Sequence, residues 1–144
     1  MTSTLIRTER GRTILLQHSV MTPQPYSRLY RIYGTAGFAN KYPVPGFVFD
    51  DGKEYMPASE CEQLLSKYEH PLWKELSSKA MAVGGHNGID YLMDYRLVYC
   101  LHHGLPLDMD VYDAAAWSCI VELSERSILG GSIPVEIPDF TRGR

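Results

Sequence analysis

Residues 84 to 101 read Gly84-Gly85-His86-Asn87-Gly88-Ile89-Asp90-Tyr91-Leu92-Met93-Asp94-Tyr95-Arg96-Leu97-Val98-Tyr99-Cys100-Leu101. A histidine set between glycines runs directly into Ile89, Leu92, Met93, Leu97, Cys100 and Leu101, whose spacing is that of one face of a helix. Gly104 and then Pro106 stop that helix in the usual order. Downstream, Asp110 with Asp113 starts a last helix from Val111 to about Leu129, ended by Gly130-Gly131, in which Ala114-Ala115-Ala116 permits close packing and Trp117 supplies bulk. Upstream, Ser59 with Glu62 reads as a capping box for a helix through about Tyr68, and Pro71 to Met81 as another short helix.

Before Ser59 the chain changes character. Thr4 to Thr8 and Arg12 to Val20 are β-rich runs around Glu9-Arg10-Gly11, a three-residue hairpin turn with Gly11 as its left-handed residue. Arg28 to Tyr33 reads as a strand covered on both faces, Gly37 to Tyr42 as its return, and Phe47 to Phe49 as a short strand closed by Asp50-Asp51-Gly52. A final alternating run, Ile133 to Ile137, is confined to a sheet edge by Pro134 and Pro138. Strands first and helices later predict an α+β domain over residues 1–144: a largely antiparallel open sheet with helices packed on one face.

The 144 residues, 44% hydrophobic and 22% charged, suit one domain able to bury roughly 70% of its unfolded surface. Net charge is −3 with scattered lysines and arginines, which argues against nucleic acid and against an anionic membrane surface as partners. No apolar run approaches the ~20 residues of a membrane span, and Met1 to Arg12 has no signal-peptide apolar region. Cys61, Cys100 and Cys119 are odd in number and widely spaced, and read as small buried hydrophobes rather than disulfides or a zinc site. No strand leads into a GxGxxG or GxxxxGK[ST] turn, so the chain carries no nucleotide-binding unit of its own.

Three places carry candidate chemistry. His86 stands at a helix start, where the dipole favours the neutral imidazole, fit to accept a proton or donate one hydrogen bond; the plainer reading is a turn that His86 caps. Asp90 and Asp94 share a face as paired carboxylates can, but first-turn positions with Arg96 at hand favour a structural role. Pro25-Tyr26-Ser27-Arg28 is a rigid turn delivering a tyrosine and an arginine to a strand mouth, where Tyr26 can stack on a sugar or pack an edge. His102-His103 closes its helix without metal-ligand spacing, and no nucleophile and base pair up convincingly, so neither a metal nor a catalytic set is assigned.

Three segments taken together, PYSRLYRIYGTAGFANKYP, GGHNGIDYLMDYRLVYCLHHGLPLDMDVYDAAAWS and PVEIPDFTRG, resemble the carboxy-terminal part of glycoside hydrolase family 109. These are the NAD-dependent α-N-acetylgalactosaminidases of the Gfo/Idh/MocA superfamily. The likeness runs from Tyr26 to Gly143, and its most specific parts are GLPLDMDVYDAAAWS and DFTRG.

The resemblance implies a two-domain parent: a Rossmann domain holding NAD, then a domain whose sheet forms the sugar pocket and a dimer face. It implies that this chain begins inside the second domain, lacks the Rossmann domain and its catalytic residues, and binds no NAD tightly alone. The implied reaction oxidises the sugar 3-hydroxyl, eliminates the group at carbon 1, adds water and returns the hydride. Tyr26 matches a sugar-contacting position, Arg28 stands beside it, and His86 matches the histidine of a glycine-rich segment in which Asn87 replaces glycine. The implied partner is an N-acetylgalactosaminide-like carbohydrate, and the relatives' export in bacteria leaves the compartment of this chain open. The alternatives are a stand-alone dimerising module without catalysis and a domain of a sugar dehydrogenase of the same superfamily.

Overall fold

The computed structural model describes residues 1–143. The chain is α+β, and the described residues form five antiparallel strands followed by four helices. Strands β1 (Thr2–Arg7) and β2 (Thr13–His18) form a two-stranded sheet, and β3 (Arg31–Gly34), β4 (Gly37–Asn40) and β5 (Gly46–Phe49) form a second, in the order β3-β4-β5. The helices are α1 (Ala58–Lys67), α2 (Pro71–Val83), α3 (Ile89–His103) and α4 (Val111–Leu129), with a 3-10 turn at His86–Gly88 before α3. The backbone groups into two compact units, one of Met1–Thr22 with the chain from Met93 onward, the other of Pro23–Leu92.

In the first unit the hairpin forms as the sequence implies. Gly11 takes φ 76°, Thr8 and Arg12 close the turn at 2.8 Å, and the register pairs Thr4 with Leu16 and Ile6 with Ile14. Thr2, Thr4 and Ile6 are half-buried while Ser3, Leu5 and Arg7 are exposed, the period of two expected of a strand covered on one face. Thr4 Oγ1 meets Ser124 Oγ of α4 at 2.9 Å, which ties the covered face to that helix. Asp110 caps α4 with a full capping box: its Oδ1 accepts the amides of Tyr112 and Asp113 at 2.8 and 3.1 Å, and Asp113 Oδ2 accepts the Asp110 amide at 3.0 Å. Cys100 and Leu123 are the buried apolar residues of this unit.

Four local expectations are corrected. The strand placed at Ile133–Ile137 is irregular chain; Ser127 Oγ donates to the Ile133 carbonyl at 2.7 Å, and two prolines remove ladder donors. Trp117 stays exposed instead of filling a core, although Ala115 and Ala116 are half-buried. Arg96 forms a two-pronged ion pair with Asp108, at 2.8 and 2.9 Å, in place of the carboxylates of its own helix start, and this pair holds its guanidinium above its ordinary pKa. The N-cap of α1 is Pro57, not Ser59: the Pro57 carbonyl accepts the amides of Glu60 and Cys61, so the helix is under way before Ser59 can cap it.

In the second unit α2 starts on a cap the sequence reading missed. His70 Nδ1 accepts the Leu72 amide at 3.2 Å, and Pro71 follows at the first helical position, where its missing N–H costs nothing. Cys61 and Ala80 are the buried apolar residues here.

Candidate functional site

Pro25-Tyr26-Ser27-Arg28 leads into a tight bend, and the strand predicted from Arg28 begins only at Arg31. Ser27 Oγ accepts the Leu29 amide at 3.0 Å, and the Arg28 carbonyl accepts the Tyr30 amide at 2.8 Å. Both amides are therefore consumed locally instead of entering the ladder. Leu29 and Tyr30 take φ of 61° and 36°, left-handed conformations of a kind that gathers at ligand sites.

The bend folds Arg28 back on the preceding ring. Its Nε donates to Tyr26 Oη at 2.5 Å, and its Cζ lies 5.9 Å from the Tyr26 ring centroid. The Tyr30 hydroxyl also binds the guanidinium. These two bonds, that to Tyr30 first and that to Tyr26 second, raise the Arg28 pKa above its ordinary value.

A second loop completes the cluster. Asn40, at the end of β4, is the buried polar residue that fixes it: Arg31 Nε donates to Asn40 Oδ1 at 3.2 Å, and Asn40 Nδ2 donates to the Val44 carbonyl at 3.1 Å. The Lys41 amide donates to the Tyr30 carbonyl at 3.1 Å, carrying the β3–β4 pairing one step further. Tyr42 is thereby set edge-on to Tyr26, with centroids 6.0 Å apart and planes at 75°, and 6.3 Å from Tyr30. Lys41 Nζ lies 5.5 Å from the Tyr30 centroid and 5.8 Å from that of Tyr42.

Three tyrosines and two cations thus share one surface, with Tyr26 71% and Tyr30 52% exposed. A phenol offers a flat apolar face and a hydroxyl, and the guanidinium offers planar donors that do not deprotonate. Together they can bind a molecule with an apolar C–H face and peripheral hydroxyl or carbonyl groups.

His86 and Asn87 both take positive φ, 44° and 57°, in the 3-10 turn. Gly88 lets that turn rest on α2, since a Cβ there would come within 2.8 Å of the Ala80 backbone. His86 Nδ1 meets the Asp90 carboxylate at 2.8 and 3.0 Å, with both side chains well exposed. Tyr26 and Arg28, named from the sequence, are brought together; His86 lies in the same compact unit but is bonded to Asp90 rather than to them. Sequence reasoning missed Tyr30, which the local bend brings to Arg28, and Lys41 and Tyr42, which reach the cluster only through the Arg31–Asn40 register. It also read Asp90 as a dipole partner, though its position four residues after His86 is itself the signal for the pair.

Other features gather no site. The groove along α1, lined by Ser59, Glu62, Gln63, Ser66 and Lys67, draws every wall from one helix. Among the described residues no three His, Cys, Asp or Glu side chains cluster as metal ligands, and no helix is long and apolar enough to cross a membrane. His103 Nδ1 donates to the Tyr99 carbonyl at 2.9 Å and its ring stacks on Tyr99 at 4.1 Å, a local helix contact.

Residues 1–144 match the family model described as glycosyl hydrolase 109, C-terminal domain. The chain belongs to glycosyl hydrolase family 109. It is 54% identical over 157 residues to glycosyl hydrolase family 109 protein 1 of Bacteroides fragilis, and 53% identical over 157 residues to the family 109 protein of Porphyromonas gingivalis. It is also 53% identical over 144 residues to a Bacteroides fragilis protein named alpha-N-acetylgalactosaminidase. In each case 99% of this chain aligns with 34% of the relative, so the chain spans about a third of the length of the curated relatives it matches.

A dinucleotide cofactor makes a specific demand on the backbone. Such a cofactor takes its pyrophosphate on a glycine-rich turn between a parallel strand and a helix. Among the described residues the strands all pair antiparallel, and Gly84–Gly88 joins a helix to a helix. The residues present do not fit that group.

Proposed function

We propose that this chain is the substrate-side domain of a family 109 glycosidase acting on α-N-acetylgalactosaminides, and that the Tyr26 surface meets the sugar. The observation that carries this reading is the Arg28 Nε bond to Tyr26 Oη at 2.5 Å, on a ring left 71% exposed. With an oxygen lone pair taken by the guanidinium, the Tyr26 hydroxyl keeps its own proton to donate to a sugar oxygen, while the ring face meets the sugar C–H groups. Arg28 adds fixed donors that suit an acetamido carbonyl. His86 is a second polar contact of the same unit.

The resemblance to NAD-dependent relatives supports a parent enzyme in which a separate dinucleotide-binding domain performs the oxidation and this domain presents the carbohydrate. The exposed apolar residues of the hairpin and of α4, Leu5, Val121 and Leu129 among them, support a domain that works covered by that domain or by a second copy.

The test is a titration of the purified chain with N-acetylgalactosamine, followed through the side-chain resonances of Tyr26, Arg28 and Tyr42. Saturable shifts at these residues are expected, with Tyr26→Ala abolishing them and Tyr26→Phe weakening binding about 5- to 10-fold, one hydrogen bond of about 1 kcal/mol. Unchanged resonances at millimolar sugar remove Tyr26 and Arg28 from the site. In parallel, the chain with NAD+ and an aryl α-N-acetylgalactosaminide is expected to show no turnover until a dinucleotide-binding domain is added; robust turnover by the chain alone contradicts the division of labour.

A further inference from the structure

Asp90 is positioned to decide which nitrogen of His86 carries the proton. A carboxylate only accepts, so a ring nitrogen 2.8 and 3.0 Å from its two oxygens is the donor. The neutral imidazole then carries its proton on Nδ1 and leaves Nε2 as the acceptor.

The backbone is shaped to hold this pair. Gly85, at φ 75°, leaves room for the carboxylate: a Cβ there would lie 2.9 Å from Asp90 Oδ2 and 3.1 Å from its Cβ. The Asp90 amide donates to the Gly85 carbonyl at 3.4 Å, and the Gly88 amide to the same carbonyl at 2.8 Å, closing the turn around one oxygen. His86 and Asn87 both hold left-handed φ.

We propose that Asp90 is a positioning residue that fixes His86 as the Nδ1–H tautomer, so that Nε2 faces outward as an acceptor for a hydroxyl proton. The acceptor role toward sugar rests on the function proposed above; the tautomer assignment does not. The pair adds to the tyrosine hydroxyls a neutral ring nitrogen able to take a hydrogen bond from a sugar hydroxyl.

Long-range proton–nitrogen correlation of the ¹⁵N-labelled full chain reads the tautomer directly, at a pH where the ring is neutral. The expected result is Nδ1–H as the major form in the parent chain, and its loss in Asp90→Ala while the backbone amide fingerprint is retained. Gly85→Ala should release it in the same way, and Asp90→Asn, which keeps an acceptor oxygen, should preserve it. A ring that is mainly Nε2–H in the parent, or unchanged in Asp90→Ala, overturns the proposal. N-acetylgalactosamine added to the same samples separates the two readings. Shifts at Nε2 that vanish in Asp90→Ala support both. A fixed tautomer that the sugar leaves unmoved supports the positioning role and takes His86 out of the sugar site.

Discussion

At single residues, short polar side chains repeatedly capture backbone amides and set local geometry. Asp139 shows this in the DFTRG segment: its Oδ1 accepts the Thr141 hydroxyl at 2.6 Å and the Thr141 amide at 2.9 Å, and its Oδ2 accepts the Gly143 amide at 2.8 Å. The Thr141 hydroxyl, then the Thr141 and Gly143 amides, lower the Asp139 pKa below its ordinary 3.8. Because the folded value is the lower one, the turn's contribution is complete above 3.8 and is lost as pH falls through the folded value. The Asp139 carboxyl carbon shift should therefore titrate with a midpoint below 3.8, with the Thr141 and Gly143 amides moving together at that midpoint. A midpoint at or above 3.8, or amides that ignore it, would show that the turn does not depend on the carboxylate. Ser27 performs the equivalent capture at the Tyr26 bend, and its hydroxyl bond to Leu29 is what a strand-pattern reading of Arg28 to Tyr33 does not contain.

Among the elements, α1 and α4 make a matched comparison. Both follow an S/D-x-x-D/E pattern, at Ser59 to Glu62 and at Asp110 to Asp113, yet only the second forms the box. Asp110→Ala should cost about 1 kcal/mol in urea unfolding, whereas Ser59→Ala should change stability by less than about 0.5 kcal/mol. Equal effects would remove the distinction drawn between the two helix starts. What the sequence revealed follows the same line. The Gly11 hairpin and the α4 box were legible because each is closed by residues within four positions of one another. The α1 start was not, since a proline two residues earlier provides an equally local way in. Nor was the Ile133–Ile137 segment, where alternation was present but prolines and the Ser127 bond left no ladder to join. Tyr26 and Arg28 were legible as neighbours in sequence. Tyr42 and Lys41 were not, because they join the cluster only after a strand reversal, with Asn40 buried and bonded at its register.

For the molecule as a whole, the decisive feature is exposed apolar surface on regular elements. Leu5 and Leu15 face each other across the outer side of the hairpin, and Trp117, Val121 and Leu129 line α4, all of them exposed. A two-stranded ribbon is marginal in water by itself, and apolar patches of this kind mark surfaces that another body covers. The function proposed above assigns that cover to a further domain or to a second copy, and the chain aligns with 34% of its relatives' length. In a Trp73→Phe background, which leaves Trp117 as the single indole, the isolated chain should therefore bind ANS and emit at the wavelength of a solvated tryptophan. Fused behind the remaining two thirds of the Bacteroides fragilis relative, the same chain should lose most ANS fluorescence, and Trp117 emission should move to shorter wavelength. Cover by a second copy predicts instead that both changes appear in the isolated chain as its concentration rises, together with a dimer in sedimentation. If Trp117 remains solvated in the fusion and at every concentration, then α4 is a free surface, and the covered-domain reading of this fold is wrong.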